Sequence, residues 1–291
     1  MTIDEKIWTV GELLNWTATY LAQQGIEHPR LDAEVLLAHA SDCKRIDLYG
    51  LRFGEQAGDE LRRRYKDLIR RRLEGCPVAY LVGRKEFFAL ELEVTPAVLI
   101  PRPDSELLVV TCLELSRRLP QPRILDVGTG SGNLAVATAH GHKGSQVTAI
   151  DASSDALAVA RRNADKHGVA DRIRFLHGDL FAALAPRDNF DFILSNPPYI
   201  AREDLDKLPL GVRAYEPREA LDGGSGGFAV FDRLSTAARD HVVPGGYLII
   251  EIGAPQETPA RARLAALPEF ELDETLRDFS GHPRVLRARR L

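Results

Sequence analysis

Apolar residues recur at helical spacing over residues 1–83: Val10, Leu13 and Leu14, then Leu31, Val35, Leu36 and Leu37. Steps of three and four put such residues on one helix face. Gly25 and Pro29 interrupt the pattern, Gly50 and Gly54 interrupt it again, and Gly75-Cys76-Pro77 closes a third helix that opens near Asp59. The pattern predicts a small all-helical domain. From Phe87 to Ile100 the period changes to two, with Leu90, Leu92 and Val94 alternating, which predicts a hairpin or extended linker within residues 84–106. Residues 107–291 then alternate helical runs with apolar strands: Arg123-Ile124-Leu125-Asp126-Val127, Val147-Thr148-Ala149-Ile150-Asp151, Ile173-Arg174-Phe175-Leu176, Phe190 to Leu194, and Tyr247 to Ile252. Regular strand-helix-strand alternation predicts an α/β, Rossmann-like, doubly wound and mainly parallel sheet. No internal repeat or low-complexity tract is present.

Composition narrows this little. Hydrophobic residues at 44% and charged residues at 27% suit a soluble globular protein. Acids at Asp4 and Glu5, with no long apolar run after them, argue against a secretory signal or a membrane span, so a cytoplasmic location is expected. Cys43, Cys76 and Cys112 are far apart and read as reduced, mostly buried thiols. The eight histidines form no ligand-spaced cluster, and no metal is expected. A net charge of −4 gives no global attraction to nucleic acid.

Asp126-Val127-Gly128-Thr129-Gly130-Ser131-Gly132 follows an apolar strand and precedes the helical run from Leu134, the context a nucleotide loop requires. Glycines allow the sharp turn and let a ligand approach main-chain N–H groups. Asn133 stands where a dinucleotide fingerprint wants glycine or alanine, so the spacing favours a methyl donor, S-adenosyl-L-methionine, over a nicotinamide cofactor. Asp151 closes the next strand, where a carboxylate accepts from both ribose hydroxyls. Asp179 and Leu180 end the third strand similarly, with Asp179 placed for the adenine amino group and Leu180 for the ring.

Ser195-Asn196-Pro197-Pro198-Tyr199 follows the strand Phe192-Ile193-Leu194, at the sheet edge where open α/β proteins bind ligands. An amide or aromatic amine is a poor nucleophile because its lone pair is delocalised. The Asn196 side-chain oxygen and the Pro197 carbonyl can each accept one N–H of such a group, aiming its nitrogen at the donor methyl. Prolines fix φ and hold that carbonyl still, and Tyr199 is expected to pack over the planar acceptor. Asn196, Pro197 and Tyr199 are therefore the candidate catalytic residues, with Pro198 joining them in substrate binding. The motif leaves three acceptors open: adenine in DNA, guanine or adenine in RNA, and a glutamine amide.

Longer stretches bear on the acceptor. Gly83-Arg84-Lys85-Glu86-Phe87-Phe88, Val98-Leu99-Ile100-Pro101-Arg102-Pro103-Asp104-Ser105-Glu106, Tyr215-Glu216-Pro217, Ala220-Leu221-Asp222-Gly223-Gly224, Glu251-Ile252-Gly253 and Gly281-His282-Pro283-Arg284-Val285 accompany the two motifs. Together they resemble the glutamine methyltransferases that modify peptide chain release factors. The resemblance implies a class I methyltransferase with a seven-stranded mixed sheet and a helical N-terminal domain that helps dock the factor. It implies methylation of the glutamine in the Gly-Gly-Gln motif of class 1 release factors. Separately, no direct nucleic acid is expected to be required and a monomer is expected. By position it gives residues 128–132, Asp151, Leu180 and Asn196 as cofactor contacts. Leu180 replaces an aromatic residue of some members, Asp104-Ser105-Glu106 replaces Glu-Thr-Glu, and Gly226-Gly227-Phe228 replaces an acid-Gly-Leu sequence. A ribosomal-protein glutamine methyltransferase ranks second, followed by a nucleic-acid methyltransferase, for which no base-reading module is recognisable. A non-catalytic scaffold is opposed by the intact Asn196 and glycine loop. Two simpler readings stand beside these: Asp104 or Ser105 capping the next helix, and Arg62-Arg63-Arg64-Tyr65-Lys66 with Arg70-Arg71-Arg72 as a solvated helix face rather than an RNA contact.

Overall fold

A computed structural model describes residues 8–50 and 52–291. The chain divides into two compact units, one running to Gly83 and taking in Leu210–Tyr215, the other formed by Arg84–Pro209 and Glu216–Leu291.

The first unit contains α1 (Val10–Gln23), α2 (Pro29–Ala40), α3 (Asp59–Leu73) and α4 (Val78–Val82). Thr9 starts α1 through a reciprocal cap: its hydroxyl accepts from Glu12 N at 3.2 Å while the Glu12 carboxylate accepts from Thr9 N at 3.0 Å. Pro29 occupies the first turn of α2, where its missing N–H costs nothing. Leu14, Leu21, Leu36 and Leu37 are fully buried, whereas Leu31, part of the same apolar pattern, is exposed. Tyr65 of α3 is buried with its hydroxyl donating to Ala33 O at 2.9 Å, which satisfies the phenol. Most arginines of α3 pair with carboxylates: Arg62 with Asp59, Arg63 with Glu60, Arg64 with Asp42, Arg70 with Asp67 and Glu74, and Arg72 with Asp32. The helix Leu210–Tyr215 joins this unit through Leu210 packed on Gly75 and the Tyr215 hydroxyl, which donates to Glu74 O at 3.1 Å. No apolar periodicity announces it.

The second unit opens with a hairpin, β1 (Arg84–Phe87) antiparallel to β2 (Leu90–Glu93). Its turn is Phe88-Ala89, at φ +51° and +56°. Two successive left-handed residues match the twist of a tight hairpin, a job Asn-Gly usually does. The remaining elements of this unit are α5 (Glu106–Ser116), β3 (Arg123–Val127), α6 (Asn133–Gly141), β4 (Gln146–Asp151), α7 (Ser154–Lys166), β5 (Ile173–His177), β6 (Phe190–Ser195), α9 (Ala229–Ala238), β7 (Val242–Glu251), α10 (Glu257–Ala265), β8 (Phe270–Leu272), β9 (Leu276–Arg277) and β10 (Pro283–Arg290), and between β6 and α9 comes α8 (Leu210–Tyr215), which belongs to the first unit. The sheet runs β5-β4-β3-β6-β7-β10-β8, with the two-residue β9 also on β10. The first five strands are parallel and β10 runs antiparallel to β7, which makes the sheet mixed. Both faces are covered. Ile124 and Phe192 pack with Leu108, Cys112 and Leu134 on one side, while Leu125 and Ile193 pack with Phe231, Leu234 and Leu264 on the other. Successive strand residues point to opposite faces, so strands covered twice read as continuous apolar runs. Cys76 and Cys112 are buried free thiols, and no helix among the described residues is long and apolar enough to cross a membrane.

Chain order reverses direction across the sheet between β3 and β6. In open α/β sheets the crevice beyond the carboxyl ends of the strands at such a reversal is where ligands bind. Gly128 follows β3 directly and Asn196 follows β6, so the two sequence motifs flank that crevice.

Candidate active site

A cavity of about 440 Å³ opens at this edge, within the range of small-molecule sites. Its wall includes Gly128, Gly130, Asp151, Asp179, Leu180, Asn196, Pro197 and Pro198. Motifs that end four different strands thus meet at one cavity.

On the β3 side the backbone does the shaping. Gly128 and Gly130 have φ of +76° and +54°, and a Cβ added to either would meet no atom within 4 Å. Only glycine takes these conformations at low cost, and the missing side chains leave room for a ligand. The loop's N–H groups are largely used internally: Gly128 N and Thr129 N donate to Ile150 O, both at 2.9 Å, Gly132 N to Thr129 O at 2.8 Å, and Gly130 N to the Asp151 carboxylate at 2.8 Å. The glycines therefore serve by making space rather than by donating to a ligand. Thr129, Ser131 and Gly132 do not line the cavity; they support it. Thr129 Oγ1 donates to buried Asp126 at 2.6 Å, Ser131 O accepts from Asn163 Nδ2 at 2.8 Å, and a Cβ on Gly132 would fall 3.0 Å from Ala160 Cβ. Burial raises the Asp126 carboxyl to about 7, with the Thr129 and Ala135 hydrogen bonds opposing the rise.

Asp151 accepts from Gly130 N and, through its other oxygen, from Ser153 N at 2.9 Å, which fixes the carboxylate while leaving lone pairs for hydroxyl donors. Asp179 is more exposed and pairs with Arg233 at 2.5 Å, so one of its oxygens already has a cationic partner. Leu180 sits at φ +51°, in the left-handed region that a branched side chain rarely enters. Strain of this kind persists where surrounding structure holds it and concentrates at ligand sites.

On the β6 side, side chains do the shaping. Asn196 Nδ2 donates to Ser105 Oγ at 2.9 Å, and Ser105 Oγ donates to the Glu251 carboxylate at 2.6 Å. Ser105 and Glu251 are both buried, at 1% and 2% exposure. Burial pushes the Glu251 carboxyl up to about 7; Ser105 hydrogen bonding opposes this, Asp104 adds to it, and Arg284 and Asn196 lower it. The Ser105 hydroxyl makes no capping bond to α5. Asp104 pairs with Arg284 at 3.0 Å and Glu106 accepts from Phe88 N at 2.8 Å, so this segment ties strands together rather than capping a helix. Glu216, buried, accepts from Ile100 N at 3.1 Å and from Arg102, which pins the stretch carrying Val98 and Leu99 to the cavity wall.

Tyr199 does not line the cavity. Gly253 lies under its ring, where an added Cβ would stand 3.3 Å from Tyr199 Cδ2, and its carbonyl accepts from Gln256 Nε2 at 3.0 Å. Burial, with Glu251 adding and Arg284 and Arg102 opposing, raises the phenol to about 12. Among the described residues no group of His, Cys, Asp and Glu is arranged to hold a metal.

Sequence comparison adds an independent line. Residues 12–83 match the family model described as the PrmC N-terminal domain, and residues 103–209 match the methyltransferase small domain. A protein of Rhodopirellula baltica named release factor glutamine methyltransferase is 41% identical over 290 residues, covering 98% of this chain and 97% of its own. The chain belongs to the release factor glutamine methyltransferase family. Its Geobacter sulfurreducens member is 42% identical over 257 residues, covering 88% of each chain. Among solved structures, the hMettl16 catalytic domain in complex with MAT2A 3′UTR hairpin 6 superposes with TM-score 0.56 at 16% identity, covering 77% of this chain and 82% of that one. That likeness concerns the fold, and it agrees with the Rossmann-like sheet expected from the strand pattern and with the class I methyltransferase fold that the family resemblance implies. Sequence reasoning gave no role to Ser105 or Glu251 at Asn196, nor to Glu216 behind the wall. Glu251-Ile252-Gly253 and Tyr215-Glu216-Pro217 stand out as motifs of the family resemblance, but spacing alone does not say what they touch.

Proposed function

We propose that the protein transfers the methyl group of S-adenosyl-L-methionine to the side-chain amide nitrogen of the glutamine in the Gly-Gly-Gln motif of class 1 peptide chain release factors. The observation that carries this reading is the meeting of Asn196, Pro197 and Pro198 with Gly128, Gly130 and Asp151 at one cavity. Membership of the family over nearly the whole chain supports the choice of acceptor. The cavity suits the cofactor: the open space over Gly128 and Gly130 admits a ligand, Asp151 offers a fixed carboxylate to ribose hydroxyls, and Leu180 offers an apolar surface to adenine, with Asp179 at its rim.

When bound, S-adenosyl-L-methionine supplies an electrophilic methyl on a sulfonium. The protein's part is to hold the amide. Asn196 Oδ1 and the Pro197 carbonyl accept its two N–H bonds, which raises electron density on nitrogen and points it along one direction. Pro197 is buried and both prolines have fixed φ, so these dipoles need no reorganisation as charge shifts. Tyr199 supports this turn from behind. In this reading the helical unit helps dock the factor, no nucleic acid is needed, a monomer suffices because all the named residues belong to one chain, and the location is cytoplasmic. Incubation of the purified protein with labelled methyl donor and a release factor, a ribosomal protein, RNA or DNA tests it. Label in the factor is expected; label in another acceptor but not the factor overturns it.

A further inference from the structure

The family motif Glu251-Ile252-Gly253 carries a buried carboxylate at the end of β7, and the methyl-transfer chemistry above makes no use of it. Glu251 does not line the cavity and is buried, yet Ser105 links it to the amide of Asn196, and that amide also lies close enough to interact with the carboxylate directly. A buried carboxylic group without a structural ion pair is costly to keep. Its surroundings are Ser105 from the segment before α5, Asn196 and Tyr199 from the turn after β6, Asp104 beside Ser105, and Arg284 from β10. Arg284 is itself engaged by Asp104 at 3.0 Å and Asp278 at 2.9 Å.

Counting protons decides what this arrangement does. An asparagine amide can sit either way round, with its oxygen or its nitrogen toward the cavity. An ionised Glu251 can only accept, so the single Ser105 proton must point at it. The Ser105 oxygen is then an acceptor toward Asn196, and only the amide nitrogen can meet it. Nδ2 is thereby turned inward and Oδ1 outward, the orientation needed to accept from a substrate amide. We propose that Ser105 and Glu251 are positioning residues for the methyl transfer, acting as a one-way hydrogen-bond relay that fixes Asn196 with its oxygen toward the acceptor. A protonated Glu251 can instead donate to Ser105, freeing Ser105 to donate to Asn196 Oδ1 and letting the amide turn its N–H groups toward the substrate. The relay then works against the reaction.

This inference rests on the amide-methylation reading, and the full-length protein with a release factor tests the two separately. Wild-type protein that fails to methylate the factor defeats the reading. If wild-type protein is active, Ser105→Ala and Glu251→Gln should each lower kcat by about 10- to 100-fold, since a misplaced group of this kind costs that order. KM and the cofactor dissociation constant measured by calorimetry should stay within about threefold, about half of the roughly 1.4 kcal/mol that a tenfold change represents. Wild-type kcat should fall as pH drops below about 7, the value burial gives Glu251, and Glu251→Gln should lose that limb. The double variant should be little worse than the poorer single variant, because both break one relay. Single variants with unchanged kcat, multiplying losses in the double variant, or a Glu251→Gln profile that keeps its acid limb would overturn the relay. Glu251→Asp, which keeps the charge, guards against misfolding: partial recovery of kcat relative to Glu251→Gln is expected, and no recovery in a folded Glu251→Asp protein counts against it.

Discussion

The two sides of the cavity are built by different means. The β3 side is mostly local: the backbone N–H groups of its loop bond within 128–132 or to the neighbouring β4, Thr129 bonds back to Asp126 of β3, only Asn163 reaches in from α7, and its selectivity comes from backbone conformations only glycine takes readily. The β6 side is assembled from afar. Asn196 depends on Ser105, 91 residues away in sequence, and Ser105 on Glu251, 146 residues away. A site divided in this way can be damaged on one side while the other keeps working.

The largest effect should come from the acceptor side. Asn196→Ala removes the oxygen that the proposed mechanism aims at the target amide, and turnover should fall by about 10²- to 10³-fold, as when one preorganised polar group is lost. Cofactor affinity by calorimetry should change far less, and unchanged turnover would refute the role given to Asn196. Gly130→Val attacks the opposite side. It forces a branched residue to φ +54° and fills the open space, so cofactor affinity should weaken by about 10- to 100-fold, the equivalent of 1–3 kcal/mol of strain. Equal affinity in the variant would show that the loop is not the cradle.

Gly132→Ala sharpens the contrast within the loop itself. Its φ is +80° and its Cβ would press on Ala160, so it should lower stability by about 1–3 kcal/mol in chemical denaturation, like an overpacked core. Arg102→Ala leaves the buried Glu216 carboxylate without its guanidinium and frees the segment bearing Leu99. A stability loss of about 1–2 kcal/mol and a raised KM for the factor are expected, a discount on the usual cost of breaking a buried pair because Arg102 is partly exposed.

The smallest effect is a pH slope. Asp126 and Glu251 are both raised to about 7 from ordinary carboxyl values of 3.8 and 4.5. The folded state therefore binds more protons than the unfolded one between those limits. Their contribution favours folding most below the ordinary values and is lost as pH rises through about 7, by less than about 1.4 kcal/mol per unit for each group. Between pH 7.5 and 6.5 stability should rise while turnover falls, and Asp126→Asn should flatten part of the stability slope in urea titrations. A rise in both together would contradict the relay.

The same division explains what the amino-acid sequence discloses. The glycine loop, the strand before it and the helix after it are contiguous, so period and spacing reveal them, and strands buried on both faces announce themselves as apolar runs. Asn196 to Pro198 are legible because they, too, form one short turn. The Ser105 hydroxyl looks like a helix cap from its neighbours, and only the folded sheet turns it to Glu251. The hairpin turn at Phe88-Ala89 lacks glycine or asparagine, which hides its position. Leu210–Tyr215 carries too few residues to show a period, and its attachment to the helical unit depends on packing at Gly75. Tyr199 shares its motif with Asn196 but faces Gly253, a difference in direction that spacing does not encode.

Site-resolved mass spectrometry of a class 1 release factor after incubation with the protein and S-adenosyl-L-methionine tests the central claim most directly. One added methyl is expected, on the side-chain amide of the Gly-Gly-Gln glutamine, absent when Asn196 is alanine. A methyl placed elsewhere on the factor, or an unmodified factor in the presence of cofactor-bound protein, would contradict it.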